Sequence, residues 1–278
     1  MKKIFKAFTF GLSVIPAIII LLDSKAINKS YKISCFRKVI LGITMLRNYF
    51  FIKTGTSFKT HLSMALKILE IPPTIHGDII ECGTWKGGSA ANLSLVCKIV
   101  GRKLIIYDSF EGLPVLDPDD RESKFYHQGD YFGSLDEVKK NINKYGEIGC
   151  CEFRKGWFND TLPLHDSPIV LAFLDVDLEA SIDVCVRSLW PYLTETGYIF
   201  IDEVVGLNYC ALFYSEKFWD KYFQRVPPGL IGAGTGLPLG EFYLGPWAEI
   251  HNYPMQHACA GAYTRKDFSG YWNYYPNY

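Results

Sequence analysis

Four short apolar runs in this chain close on an acid: Ile79-Ile80 on Glu81, Lys103 to Tyr107 on Asp108, Ile169 to Leu174 on Asp175, and Tyr198 to Ile201 on Asp202, with Glu203 next. In an open α/β sheet the carboxyl ends of the strands form the ligand crevice, so acids in that register point to a binding site. The first run is followed by a glycine-bearing loop, Gly83-Thr-Trp-Lys-Gly-Gly-Ser89. Its glycines at 83, 87 and 88 fit neither the dinucleotide fingerprint nor the P-loop, and Lys86 precedes the glycine pair. The loop offers close backbone approach at Gly83 and a helix start near Ser89, suited to a ligand that carries a carboxylate. Taken alone it also reads as a tight turn for helix–strand packing. Asp108, at the end of the next strand, strengthens the ligand reading, because an acid there can accept both hydroxyls of a ribose.

These residues need a parallel sheet to hold them, and the pattern from Gly77 onward supplies one, with short β-branched or apolar runs alternating with helical stretches. A helix is predicted from about Ser89 to a stop at Gly101. Ser134-Leu-Asp-Glu137 is a capping box, with Leu135, Val138, Ile142 and Tyr145 at helical spacing behind it. Cys151 to Arg154 reads as a short strand. A helix is predicted from about Glu179 to Trp190, stopped by Pro191, and Gly197 opens the last strand.

Composition narrows the function classes. Lys plus Arg and Asp plus Glu each total 29 in 278 residues, which leaves no excess positive charge for a nucleic-acid backbone. Hydrophobic residues at 49% and charged residues at 21% exclude disordered and collagenous chains. The eight cysteines contain no C-x-x-C pair and read as buried free thiols. At the N-terminus, Lys2, Lys3 and Lys6 precede an apolar run from Ala7 to Leu22, interrupted by Pro16. It is short for a confident membrane span, and three readings stay open: a segment lying on a membrane, a soluble helix covering the domain, or a signal. The expected organisation is an N-terminal apolar, helical extension over 1–55 and a catalytic domain over 56–278. A glycine- and proline-rich lid or acceptor segment occupies about 226–256, and an aromatic tail follows.

The motifs Glu81-Cys-Gly-Thr-Trp-Lys-Gly-Gly-Ser89, Tyr107-Asp-Ser-Phe-Glu-Gly-Leu-Pro114, Lys155-Gly-Trp-Phe-Asn-Asp-Thr-Leu-Pro163, Asp175-Val-Asp-Leu178 and Ile201-Asp-Glu203 resemble the macrocin-type sugar O-methyltransferases of antibiotic biosynthesis, in order from about Phe58 to Phe223. The resemblance implies a class I, Rossmann-like, doubly wound α/β sheet with one antiparallel strand. It also implies S-adenosylmethionine as methyl donor, a magnesium or other divalent ion, and a sugar hydroxyl as acceptor. Carried over position by position, it places Glu81, Gly83, Lys86, Gly87 and Ser89 around the methionine part of the cofactor. Asp108 takes the ribose, Ser109 and Phe110 border the adenosine, and Gly156, Trp157 and Phe158 wall the adenine. Asp175, Asp177 and Asp202 match the acidic metal ligands, and Glu203 stands where the family usually has Asp, keeping a hard oxygen donor.

The chemistry accounts for gathered acids, since a sugar hydroxyl must be oriented and helped to lose its proton, and a divalent ion does both. Asp175 is a candidate catalytic residue. His251 is the first choice for a base among the histidines near the crevice, although the 226–256 region departs from the family pattern. The expectation is a metal-assisted O-methyltransferase acting on a sugar of a glycan, glycolipid or glycosylated natural product. It is expected to be cytoplasmic, with the N-terminus able to meet the membrane face and with scope for a homo-oligomer. A catechol- or phenol-type methyltransferase and a non-catalytic protein retaining the fold are the alternatives.

Overall fold

The computed structural model describes residues 18–19, 21–23, 25–203, 207–230 and 261–267. Six strands form one sheet: β1 (Asp78–Cys82), β2 (Leu104–Asp108), β3 (Cys151–Lys155), β4 (Ile169–Leu174), β5 (Leu193–Ile201) and β6 (Ala262–Arg265). Their order is β3-β2-β1-β4-β5-β6, with only β6 antiparallel to its neighbour. This is the doubly wound sheet with one antiparallel strand expected above. The helices are α1 (Cys35–Phe51), α2 (Phe58–Glu70), α3 (Gly88–Val100), α4 (Leu135–Tyr145), α5 (Phe158–Thr161), α6 (Glu179–Leu189), α7 (Leu207–Ala211) and α8 (Glu216–Phe223).

The strands read as unbroken apolar runs because helices cover both faces of the sheet. Alternate residues part company: Ile79, Leu104, Ile106, Phe173 and Phe200 pack beneath α1 to α4. Ile80, Ile105, Tyr107, Leu174 and Ile201 face α6 and the buried Trp219 of α8. The predicted caps are realised. Ser134 Oγ accepts from Glu137 N ahead of α4, and Gly101 ends α3 in the left-handed region.

One expectation changes. β5 begins at Leu193, and Gly197 lies inside it, where the register against β4 shifts and an added Cβ would sit 2.8 Å from the Leu193 side chain. The described part of the 1–55 extension packs on the sheet domain. Leu41, Met45 and Ile52 of α1 share a core with α2 and the sheet, and Asn48 Nδ2 donates to Asn92 Oδ1 (2.9 Å) and Tyr145 O (2.8 Å). Leu21 and Ile27 join the same core, and Asn28 N donates to Leu69 O. Truncation to residue 32 would therefore remove packed side chains. Among the described residues no helix is long and apolar enough to cross a membrane.

Candidate active site

The strand order reverses between β1 and β4, the switch point where open sheets hold ligands. Backbone bonds continue the ladder one residue past the strands: Gly156 N donates to Asp108 O, Gly83 N to Tyr107 O, Asp175 N to Cys82 O and Asp202 N to Leu174 O. Five neighbouring strand ends thus arrive side by side, which is why acids far apart in sequence meet. Gly83, at φ +79°, is required here: a Cβ would lie 1.9 Å from Asp175 O, so any other residue would push the loop off β4.

A cavity of about 1250 Å³ opens on these ends. Gly83, Asp108, Ser109, Gly156, Trp157 and Phe158 line one part, and Asp175, Asp177, Asp202 and Glu203 another. Asp108 is held by backbone donors, with Oδ2 accepting from Thr84 N (2.8 Å) and Oδ1 from Phe110 N (2.6 Å). Burial raises its pKa, and those donors oppose the rise.

One carboxylate oxygen each from Asp175, Asp177 and Glu203 lies within 4.8 Å of the others, a spacing that could hold one cation. Burial first, and mutual repulsion second, raise Asp175, Asp202 and Glu203 well above the usual carboxylate range. Asp177 is pushed up to about 7 by burial and by Asp130 and Glu122. Glu203 Oε1 accepts from Asp177 N (2.7 Å), while Glu203 Oε2 and Asp202 Oδ1 are buried with no hydrogen-bond partner among the described residues. Buried, unpartnered, mutually repelling oxygens suit a hard divalent cation. Asp202 lies outside the converging trio, and Asp177 lies within it.

Other sequence-predicted residues sit beside the cavity and do not line it. Glu81 is fully buried beneath the loop, accepting from Thr84 Oγ1, and burial pushes its pKa up to about 8. Gly87 caps α3, and Ser89 is buried in its first turn. Lys86 turns to Glu137 on α4, 2.6 Å away. Phe110 packs in the core against Phe153. His251 lies outside the described residues, and His127 is a surface residue 3.6 Å from Asp130. Sequence reasoning missed Lys53 to Gly55, Glu122, Tyr131 and Tyr209, which also line the cavity. Tyr209 OH and Glu179 N both donate to Glu122 Oε1. These residues come from separate segments, Tyr209 from α7, with no shared motif to announce them.

Comparison with known proteins fits this geometry. The family described as Macrocin-O-methyltransferase (TylF) matches residues 55–223. The chain is 34% identical over 139 residues to a Streptomyces olivaceus protein named 8-demethyl-8-(2,3-dimethoxy-alpha-L-rhamnosyl)-tetracenomycin-C 4'-O-methyltransferase, over 46% of this chain and 53% of that one. It is 30% identical over 148 residues to the demethyldecarbamoylnovobiocin O-methyltransferase of Streptomyces niveus, over 49% and 56%. The matches thus span about half the length of each. The fold is similar to that of the O-methyltransferase NovP, with a TM-score of 0.52 and 19% identity over 76% of this chain and 80% of that one. It is also similar to the calicheamicin methyltransferase CalS11, at 0.50 and 17% over 92% and 91%.

Proposed function

The chain belongs to the macrocin-O-methyltransferase family, and on that premise we propose that it methylates a sugar hydroxyl of a glycosylated natural product, glycan or glycolipid, using S-adenosylmethionine and a divalent cation. One observation carries the reading: a single cavity joins Asp108, held by backbone N–H groups, to the acid trio of Asp175, Asp177 and Glu203. Its volume of about 1250 Å³ exceeds the roughly 300–1,000 Å³ usual for one ligand, leaving room for donor and acceptor together.

In this reading Asp108 accepts the ribose hydroxyls, its oxygens already aimed by Thr84 N and Phe110 N. Gly83 lets the loop carry the methionine part beside β4, with Glu81, Gly87 and Ser89 bracing the loop from below. Gly156, Trp157 and Phe158 wall the adenine, and Ser109 borders the adenosine. S-adenosylmethionine, when bound, supplies a methyl group on a sulfonium that leaves as the neutral thioether. Asp175, Asp177 and Glu203, with Asp202 beside them, would hold the cation, which supplies Lewis acidity toward the acceptor hydroxyl. Asp175 is the first group proposed to receive the hydroxyl proton, and His251 is the second.

Labelled S-adenosylmethionine offered with a panel of deoxysugar glycosides and simple catechols tests the reading. Label in the sugar is expected. Label only in the catechols would replace the acceptor class, and no cofactor binding at millimolar concentration would end the methyltransferase reading.

A further inference from the structure

Helix α1 has two contrasting faces. Leu41, Met45 and Asn48 turn into the core, while Phe36, Ile40, Ile43 and Phe51, on the opposite side at helical spacing, are 72%, 47%, 55% and 66% exposed. The segment that packs on α1 at Gly42 through Ile18 and Leu21 adds Ile19, 55% exposed. A row of large apolar side chains along one helix is not scattered surface hydrophobicity; it marks a contact face.

Charge is divided along the same line. Residues 1–69 contain 12 Lys or Arg and one acid, Asp23, whereas residues 70–278 contain 17 and 28. A chain with no net formal charge is therefore split into a part at +11 and a part at −11. Lys29, Lys32, Arg37, Arg47 and Lys53, all exposed, flank or interrupt the apolar row. A second copy meeting this face symmetrically would set base against base with only Asp23 of this segment to answer. A nucleic acid would answer the charge but leave the apolar row unused.

We propose that α1 docks the protein flat on an anionic lipid bilayer, with Phe36, Ile40 and Ile43 entering the headgroup boundary and the surrounding lysines and arginines meeting lipid phosphates. An in-plane helix of this kind needs no spanning segment. α1 ends at Phe51, and Lys53, Thr54 and Gly55 line the cavity, so docking brings the cavity mouth toward the bilayer surface.

Flotation of the full chain with vesicles of phosphatidylcholine alone, or of phosphatidylcholine with phosphatidylglycerol, tests the docking independently of any methyl transfer. Binding about tenfold stronger to the anionic vesicles is expected, weakening as salt is raised. Phe36→Gln/Ile40→Gln/Ile43→Gln and, separately, Lys29→Gln/Lys32→Gln/Arg37→Gln should each lower partitioning about tenfold, with thermal melting used to check that each variant is folded. Undiminished binding by both variants, equal binding to neutral vesicles, or no binding at all overturns the proposal. So does a concentration-dependent dimer that the apolar variant abolishes, which would assign the face to a second copy.

Discussion

Asp108 and the trio of Asp175, Asp177 and Glu203 face one cavity, yet they are built in opposite ways. Both Asp108 oxygens take backbone hydrogen bonds, from Thr84 N and Phe110 N. Among the described residues only Glu203 of the trio takes one, from Asp177 N, and its other oxygen is buried without a partner there. A carboxylate fixed by amide donors keeps lone pairs aimed for neutral hydroxyls without needing a cation. Carboxylates that lack donors and repel one another are stable only when protonated or when a cation joins them. The same residue type thus serves two recognition tasks, and the surrounding backbone decides which.

The difference is broken most directly at the trio. Asp175→Asn and Asp177→Asn should each abolish methyl transfer, and exhaustive chelation of the wild type should do the same until magnesium is restored, while calorimetric cofactor affinity changes little. Full turnover in chelator would erase the distinction and leave proton transfer to the protein alone. Next in size, Asp108→Ala should weaken cofactor binding by about 1–3 kcal/mol, with or without metal, because the ribose hydroxyls lose a charged acceptor. An equal loss of affinity from Asp175→Asn would show that the two regions are not separate sites.

How much of this was legible follows from what is local. Asp108, Asp175 and Asp202 announced themselves because each closes a short apolar run, and the backbone ladder then sets those strand ends side by side, whereas Glu81 lies inside β1 and turns beneath the loop. The caps at Ser134 and Gly101 are equally local. The partition of the glycine loop was not legible. Glu81, Gly83, Lys86 and Ser89 share one motif, but the left-handed turn at Gly83 sends Gly83 to the cavity, Glu81 beneath it and Lys86 out to α4. The role of α1 was hidden too, because Asn48 reaches Asn92 and Tyr145, 44 and 97 residues away. No window of sequence contains such a contact. Tyr209 and Glu122 meet across the cavity for the same reason.

A third prediction sharpens the contrast through Glu81, an acid that belongs to neither group. It is fully buried, and that burial pushes its pKa up to about 8 from an ordinary 4.5. The folded chain therefore keeps this proton to a higher pH than the unfolded chain does. Its contribution to stability is intact below about 4.5 and falls as pH rises toward 8. Glu81→Gln removes that titration, so the wild-type Tm in chelator should drop relative to the variant between pH 5 and pH 8.5. A constant difference across that range would mean that Glu81 titrates alike in the folded and unfolded chain and is ionised in the folded protein near neutral pH.

The smallest effect is expected at Lys86, and it asks whether any fixed cation of the protein takes part in cofactor binding. Its ammonium group lies 2.6 Å from Glu137, with the two side chains 22% and 43% exposed. A partly exposed pair of this kind contributes about 0.2–1 kcal/mol to stability. Lys86→Ala should therefore lower Tm slightly and leave the cofactor Kd within about twofold of wild type, because the lysine spends its charge on α4 and not on the cavity. A helix start and backbone N–H groups suffice for a carboxylate at the loop, without a fixed positive side chain. Should Lys86→Ala instead weaken binding as much as Asp108→Ala, the lysine must leave Glu137 when the ligand arrives. Glu137→Gln, which frees it in advance, would then tighten binding, and the Asp108 region would have to be redrawn as a charge pair in place of an acid held by amides.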